Sequence, residues 1–294
     1  MNRRDLFRLS TAMGLTTALP GLARAASAPN PLQPPAEGSI PVAFLLSENA
    51  VVIDFAGPWA VFENVSLPGR AEGPVFALYT VAATAGPVRA SGGMTVIPDH
   101  TFATAPAPRV IVIPAQSAPD AATIAWIRGA ARGADLTMSV CTGAFVLAQT
   151  GLLSGLRATT HHGEYTQFAM RFPDVAVVRG ARYVEAGKFA SSGGLSSGID
   201  LALRVVERYF GGAAAANTAD ALEYQGQGWR DPHSNMAYAR RPRSTAQHPL
   251  CAVCDMAVDK AGALTSLYRG RTCYFCMDAH KAAFDANPAA YRAA

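Results

Sequence analysis

A chain of 294 residues is about two domains long, and with 50% hydrophobic, 16% charged and 9% aromatic residues it is neither disordered nor fibrous. The formal charge of +4 is concentrated at the start. Residues 1–25 hold Arg3, Arg4, Arg8 and Arg24 against Asp5, a net of +3, so the remainder carries +1 and gives no electrostatic case for nucleic-acid binding.

Asn2-Arg3-Arg4-Asp5-Leu6-Phe7-Arg8 precedes a mildly apolar run from Leu9 to Leu22, and Ala23-Arg24-Ala25 and Ala26-Ser27-Ala28 offer small-residue cleavage sites. Residues 1–28 resemble a twin-arginine export signal, which implies a periplasmic or secreted protein. After the first thirty residues no apolar run reaches the ~18 residues of a membrane span, so none is expected once the signal is cleaved. Residues 29–39 read as a Pro-rich tether with no fold of their own.

Between 40 and 225 apolar strands alternate with helices. Ile40–Leu46 is a buried strand and Pro58–Val65 a helix opened by its proline. Phe76–Ala82 and Val110–Pro114 are strands, Ala121–Ala131 is a helix, and strand Leu136–Val140 runs into Cys141. Gly143–Gln149 is helical. Arg157–Thr160, Val175–Val178 and Tyr183–Ser191 are strands, the last two paired as a hairpin. Ile199–Phe210 is an amphipathic helix closed by Gly211-Gly212. The pattern predicts an α/β domain, a flavodoxin-like and largely parallel sheet sandwiched by helices. Residues 226–247 are polar and basic without apolar periodicity and read as a linker.

Cysteine usage divides the chain into two chemistries. Cys141 stands alone, while Cys251, Cys254, Cys273 and Cys276 crowd residues 248–294. Cys141 ends a strand and is followed by Thr142, Gly143 and a helix. At such an elbow the helix dipole and free amides favour thiolate over thiol, and the amide of Thr142 and its neighbour can face an oxyanion. The competing reading is a small buried hydrophobe.

Three separated segments, VVIDFAGPWAVFENV (51–65), VCTGAFVLAQTGLLSGLRATTHH (140–162) and SSGGLSSGIDLALRVVERYFG (191–211), resemble the ThiJ/PfpI-type class I glutamine-amidotransferase-like superfamily. The subgroup includes isonitrile hydratases and the amino-terminal domains of some AraC-family regulators. The resemblance implies Cys141 as nucleophile, Thr142 as its neighbour, and Asp54 as the acid beside the thiol. A carboxylate beside a thiol should titrate with it, one proton between the two. Helix N-capping ahead of Pro58 is the structural role open to Asp54. His161 and His162 follow the motif as possible dyad partners. Relatives carry Gly-Gly where this chain has Ala115-Gln116, so the Ala115 amide, the Gln116 side chain and Gly143 are the expected oxyanion or substrate contacts.

The tail resembles a YHS domain, a relative of TRASH-type heavy-metal modules. It carries CxxCDMxV, Tyr268-Arg269-Gly270, Cys-Tyr-Phe-Cys, Phe284 and Asn287-Pro288-x-x-Tyr291. It is expected to be a small α+β metal-binding domain. Spacing alone gives C-x2-C-x18-C-x2-C, the zinc-ribbon set of Cys251, Cys254, Cys273 and Cys276. The resemblance implies Cys251, Cys254, Cys276 and His280, with Cys273 as a substitute. Soft donors suit zinc or copper(I), and two disulfides are the alternative. The whole reads as an exported cysteine-dependent hydro-lyase or hydrolase, isonitrile hydratase-like, acting on a small polar molecule and possessing a metal-binding tail. A thiol redox or glyoxal-detoxifying enzyme also fits Cys141. A non-catalytic heavy-metal binding or sensing protein is the other class. Homodimers are expected from the superfamily.

Overall fold

A computed structural model describes residues 31–70, 73–240 and 242–291. The expected signal over 1–28 lies outside them. Strands β1 (Ile40–Leu45), β2 (Phe76–Ala82), β3 (Val88–Arg89), β4 (Thr95–Val96), β5 (His100–Thr101), β6 (Val110–Ile113) and β7 (Leu136–Ser139) are followed by β8 (Arg157–Ala158), β9 (Ala176–Val177), β10 (Tyr183–Ala186) and β11 (Phe189–Ser192). The helices of this part are α1 (Val52–Glu63), α2 (Ala121–Gly133), α3 (Gly143–Gln149), α4 (Tyr165–Arg171), α5 (Ser197–Phe210) and α6 (Gly212–Ala221). A seven-stranded sheet runs in the order β10-β11-β7-β6-β1-β2-β5, parallel except for β10 against β11.

The strands are continuously apolar because helices cover both faces. Alternate residues of one strand serve different cores. Val42 and Phe44 of β1, with Val110 and Val112 of β6, pack against Phe55, Val61 and Phe62 of α1 and Leu201 and Val205 of α5. Ala43, Leu45, Ile111 and Ile113 pack on the other face against Ile127 of α2, Leu147 of α3 and Phe168 of α4. Among the described residues no helix is long and apolar enough to cross a membrane.

Two local expectations need correction. The helix read from Pro58 starts at Val52, so Asp54 lies in its first turn and does not cap it. Pro58 sits inside that helix, lacking the N–H that would bond the Asp54 carbonyl. The hairpin lies within 183–192, where β10 and β11 turn at Gly187 (φ 66°), while β9 pairs in parallel with β8. Gly211 (φ 87°) closes α5 after Phe210 as expected, and α6 follows directly from Gly212.

The segment read as a free linker is docked on the sheet's β10 edge. Trp229 is buried and its carbonyl accepts the Tyr183 hydroxyl at 2.8 Å. Pro31–Glu37 lacks regular structure as well, yet Leu32 donates its N–H to the Arg208 carbonyl at 2.8 Å. Asp200, fully buried on α5, is paired with Arg182 (Nε to Oδ2, 2.6 Å), and Tyr224 donates to the same oxygen at 3.0 Å. Asp200→Ala leaves the Arg182 cation with most of its compensation gone. Denaturant unfolding should show a loss of about 3–5 kcal/mol.

The tail forms an antiparallel hairpin, β12 (Leu264–Tyr268) and β13 (Arg271–Phe275), then α7 (Asp278–Ala286) and α8 (Pro288–Tyr291). Its own core is small, with Val253, Val258, Phe275 and Phe284 around Cys251 and Cys254, and Ala169 of α4 closes it.

Candidate active site and candidate metal centre

β6 and β7 run side by side with Ile113 opposite Ser139, which places Pro114-Ala115 beside Val140-Cys141 at the carboxyl ends of the strands. Open parallel sheets offer ligands a crevice there. Cys141 turns the chain with φ 56°, a left-handed conformation uncommon for a residue with a side chain. Its N–H donates to the Gly193 carbonyl at 3.0 Å, and its own carbonyl accepts the Thr160 hydroxyl at 3.0 Å. The chain then enters α3 at Gly143. A Cβ there would stand 2.2 Å from the Ile113 carbonyl oxygen and 2.7 Å from that of Pro114. Both obstacles are backbone. Gly143→Ala should therefore cost about 3 kcal/mol or more in thermal or denaturant unfolding, at the upper end for overpacking, and displace the elbow.

Asp54 is fully buried beneath the elbow. Its Oδ2 accepts the Ala115 N–H at 3.1 Å, and among the described residues no hydrogen-bond donor is seated on Oδ1. Burial raises its pKa to about 6, while the Ala115 amide and the adjacent Cys141 thiol draw it back down. The Cys141 thiol is raised to about 11, first by burial and next by the Asp54 charge. The amides of Thr142 and Leu195 and the Thr142 hydroxyl oppose this and do not win. The expectation of a thiolate favoured by the helix is thus corrected. α3 has only seven residues, and its dipole is outweighed by desolvation and a carboxylate neighbour. The other expectation, one proton shared by the pair, agrees with these values across pH 6 to 11.

The remaining expected site residues divide. The Ala115 amide is engaged by Asp54, so it orients the acid and is not a free oxyanion donor. Gln116 is fixed by accepting the Ser47 N–H at 2.7 Å, and its Nε2 is buried without a partner among the described residues. It lines a cleft of about 230 Å³ with Thr142, Phe145, Gln149, Glu164 and Arg171. A larger cavity of about 860 Å³ lies at β10, around Tyr183, Glu185 and Arg204, away from the elbow. His161 makes no hydrogen bond to Cys141. Its Nδ1 accepts the Gly163 N–H at 3.2 Å, its ring stands 4.4 Å from that of His162, and burial, then His162, lowers its pKa. His162 stacks on Tyr238 at 4.9 Å.

Sequence reasoning did not single out Leu195. Its φ of 45° turns its amide to the Cys141 sulfur, and it follows Gly194, where a Cβ would meet His161 Cδ2 at 2.4 Å. The glycine pair within SSGGLSSG is the signal that such a close approach exists.

In the tail, Cys251, Cys254, Cys276 and His280 bring one donor atom each within 4.8 Å of one another. Cys254 Sγ lies 3.7 Å from Cys276 Sγ, and His280 Nδ1 lies 3.5 Å from Cys251 Sγ and 3.1 Å from Cys276 Sγ. Tetrahedral zinc at its usual bond lengths separates sulfurs by ~3.8 Å and sulfur from nitrogen by ~3.6 Å, so three thiols and one imidazole are spaced to hold such an ion. Cys273 is half-buried on β13 and outside this quartet. All five cysteines are free, so the disulfide alternative is not formed. Cys251 is drawn to the thiolate by a hydrogen bond from Cys254, and the same bond pushes Cys254 up. The other nitrogen of His280 faces the Ala169 carbonyl of α4 at 3.3 Å, the orienting contact typical of a ligating histidine.

The DJ-1/PfpI family model matches residues 41–208, and the chain belongs to that family. An isonitrile hydratase of Pseudomonas putida is 31% identical over 196 residues, which cover 63% of this chain and 79% of that one. The HTH-type transcriptional regulator CdhR of Pseudomonas aeruginosa is 26% identical over 67% of this chain, which spans 59% of the regulator's length. Among solved structures, a ThiJ/PfpI family protein from Pseudomonas syringae superposes with a TM-score of 0.58 at 25% identity, covering 72% of this chain and 84% of that one. The family match ends before the tail.

Proposed function

We propose, from membership of the DJ-1/PfpI family, that the chain is an enzyme whose Cys141 adds to the electrophilic carbon of a small polar molecule, with Asp54 carrying the proton. The observation that carries this reading is the buried pair at the strand ends, an acid raised to about 6 beneath a thiol raised to about 11. An acid poised near the working pH is suited to proton transfer in both directions. The likeness to an isonitrile hydratase points to isonitriles as the first substrates to try.

For an isonitrile the steps balance as follows. Asp54 takes the thiol proton as sulfur bonds to the terminal carbon, then delivers it to that carbon, leaving a thioimidate. Asp54 next takes a proton from water as the hydroxyl bonds to the same carbon and returns it to nitrogen. The tetrahedral adduct collapses as the hydroxyl proton passes to sulfur and the carbon–sulfur bond breaks. The product is the N-substituted formamide, and the net change is addition of one water. Gln116, which lines the cleft and whose Nε2 has no partner among the described residues, is assigned in this reading to donate a hydrogen bond to a polar substrate atom.

The tail is a soft-metal centre in this reading, with Cys251, Cys254, Cys276 and His280 holding zinc or copper(I). Bound there, the cation would supply cross-linking of the CxxC turn, β13 and α7, and keep the thiols deprotonated. Residues 1–28 direct export by the twin-arginine route. A non-catalytic carrier or sensor of soft metal ions is favoured by one observation, that Cys141 is 7% exposed and neutral at physiological pH. A screen of isonitriles, amides and 2-oxoaldehydes separates the two. Turnover that depends on Cys141 supports the enzyme, and no turnover of any of them supports the carrier.

A further inference from the structure

α4 is a single layer between the two candidate sites. On one side Phe168 packs on Phe145 of α3, the helix that leaves the elbow, with ring centroids 4.9 Å apart. Glu164, just before α4, and Arg171 at its end line the cleft beside Thr142. On the other side Ala169 is buried against Cys251, Cys254 and Phe284 of the tail.

Two polar links fasten this second side. The carbonyl of Ala169 falls in the last turn of α4, where carbonyls have no partner within the helix. His280 Nε2 lies 3.3 Å from it, and with Nδ1 turned to the thiols this nitrogen carries the hydrogen and caps the helix. Arg179 makes the second link. Its Nε meets Asp255 at 2.5 Å, and its Nη2 donates to the Thr166 hydroxyl of α4 at 2.9 Å and to the Cys254 carbonyl at 3.3 Å. Its guanidinium also lies 5.1 Å from the Tyr165 ring centroid. Asp255, directly after the CxxC turn, holds φ 60°, so the ion pair grips a left-handed backbone position at the end of that turn.

We propose that the thiolate–imidazole centre is a regulatory site for the cleft at Thr142, the residue next to Cys141. A soft cation bound by Cys251, Cys254, Cys276 and His280 fixes α4 through the Ala169 cap and Arg179, and so sets access to Cys141. This rests on reading the quartet as a metal centre. Arg179 is a positioning residue here, since it touches neither the donor atoms nor the elbow. The tail alone buries too few side chains to hold its shape, so loss of the cation releases both links together.

The test uses the full mature chain loaded with zinc, the same protein stripped by a chelator, and the loaded His280→Cys and Arg179→Gln variants. His280→Cys keeps a fourth soft ligand but removes the cap. Three quantities are read: zinc per chain, amide exchange over 165–171, and the alkylation rate of Cys141 by peptide mass spectrometry. Stripping should speed α4 exchange about tenfold or more and Cys141 alkylation several-fold, with the β1 and β6 amides unchanged. His280→Cys should keep about one zinc per chain yet show α4 exchange close to the stripped protein, and Arg179→Gln should move exchange the same way. Zinc bound at about one per chain with α4 exchange equal in loaded, stripped and variant proteins overturns the regulatory inference alone. Failure of the wild type to bind zinc or copper(I) at all overturns the metal-centre reading and the inference with it.

Discussion

Replacing Cys254 by serine is expected to reduce the bound metal from about one ion per chain to nearly none and to unfold the tail while the α/β part keeps its structure. Structural zinc supplies an apparent ~10–16 kcal/mol at neutral pH in small metal-folded modules, far more than this tail's few buried side chains. Phe275 and Phe284 pack against each other with tilted rings, centroids 5.1 Å apart, and are the largest fully buried apolar groups in that core. Cys273→Ser should keep the metal, because Cys273 lies outside the quartet. Metal analysis of both variants, with limited proteolysis to locate the loosened segment, checks this. Loss of metal in Cys273→Ser as well as in Cys254→Ser would restore the zinc-ribbon set, which shares Cys254 and differs from the quartet only in taking Cys273 for His280.

Asp54→Asn is expected to cut turnover by about 10²–10⁴-fold, the usual worth of a proton-transferring group, and to make the protein more stable. Its effect on stability has a definite sign. The carboxyl is held at about 6, above its ordinary 3.8, so the fold favours the neutral form. The contribution of that protonated acid is fully present below about pH 4 and is lost as pH rises through about 6. A shift of about two units corresponds to ~3 kcal/mol at most. Asparagine keeps the acceptor for the Ala115 amide without the buried charge. Unfolding at pH 8 should therefore show a gain of about 2–3 kcal/mol that vanishes near pH 3.5. Cys141→Ala should abolish turnover without that pH-dependent gain. A catalytic acid that costs stability is expected of a working site.

The sequence made some features of the sites legible because they are local. A strand, one cysteine, Thr-Gly and a helix specify the turn at Cys141, and the CxxC turn and the i, i+4 pair Cys276 and His280 between them supply all four tail donors. The ionisation at the elbow was not legible. A helix amino terminus argues for a thiolate, but burial and Asp54, 87 positions away, decide otherwise. Ala115 shows the same limit. Its position after a strand suggests an oxyanion donor, whereas the register against α1 spends its N–H on Asp54. Pro58 drew the predicted start of α1 six residues too late, since proline is favoured at helix starts but is tolerated inside this one. Arg179 and Leu195 act through contacts with segments distant in sequence, and their neighbours in the chain do not announce them.

The shared proton at the elbow is tested most directly by the pH dependence of Cys141 alkylation in metal-loaded protein, read at its own peptide by mass spectrometry, in wild type and Asp54→Asn. The expected wild-type rate climbs steadily with pH toward an inflection near 11, and Asp54→Asn, free of the neighbouring charge, shifts that inflection to lower pH. A wild-type inflection at or below the ordinary thiol value of ~8.5, unmoved by Asp54→Asn, would contradict the account.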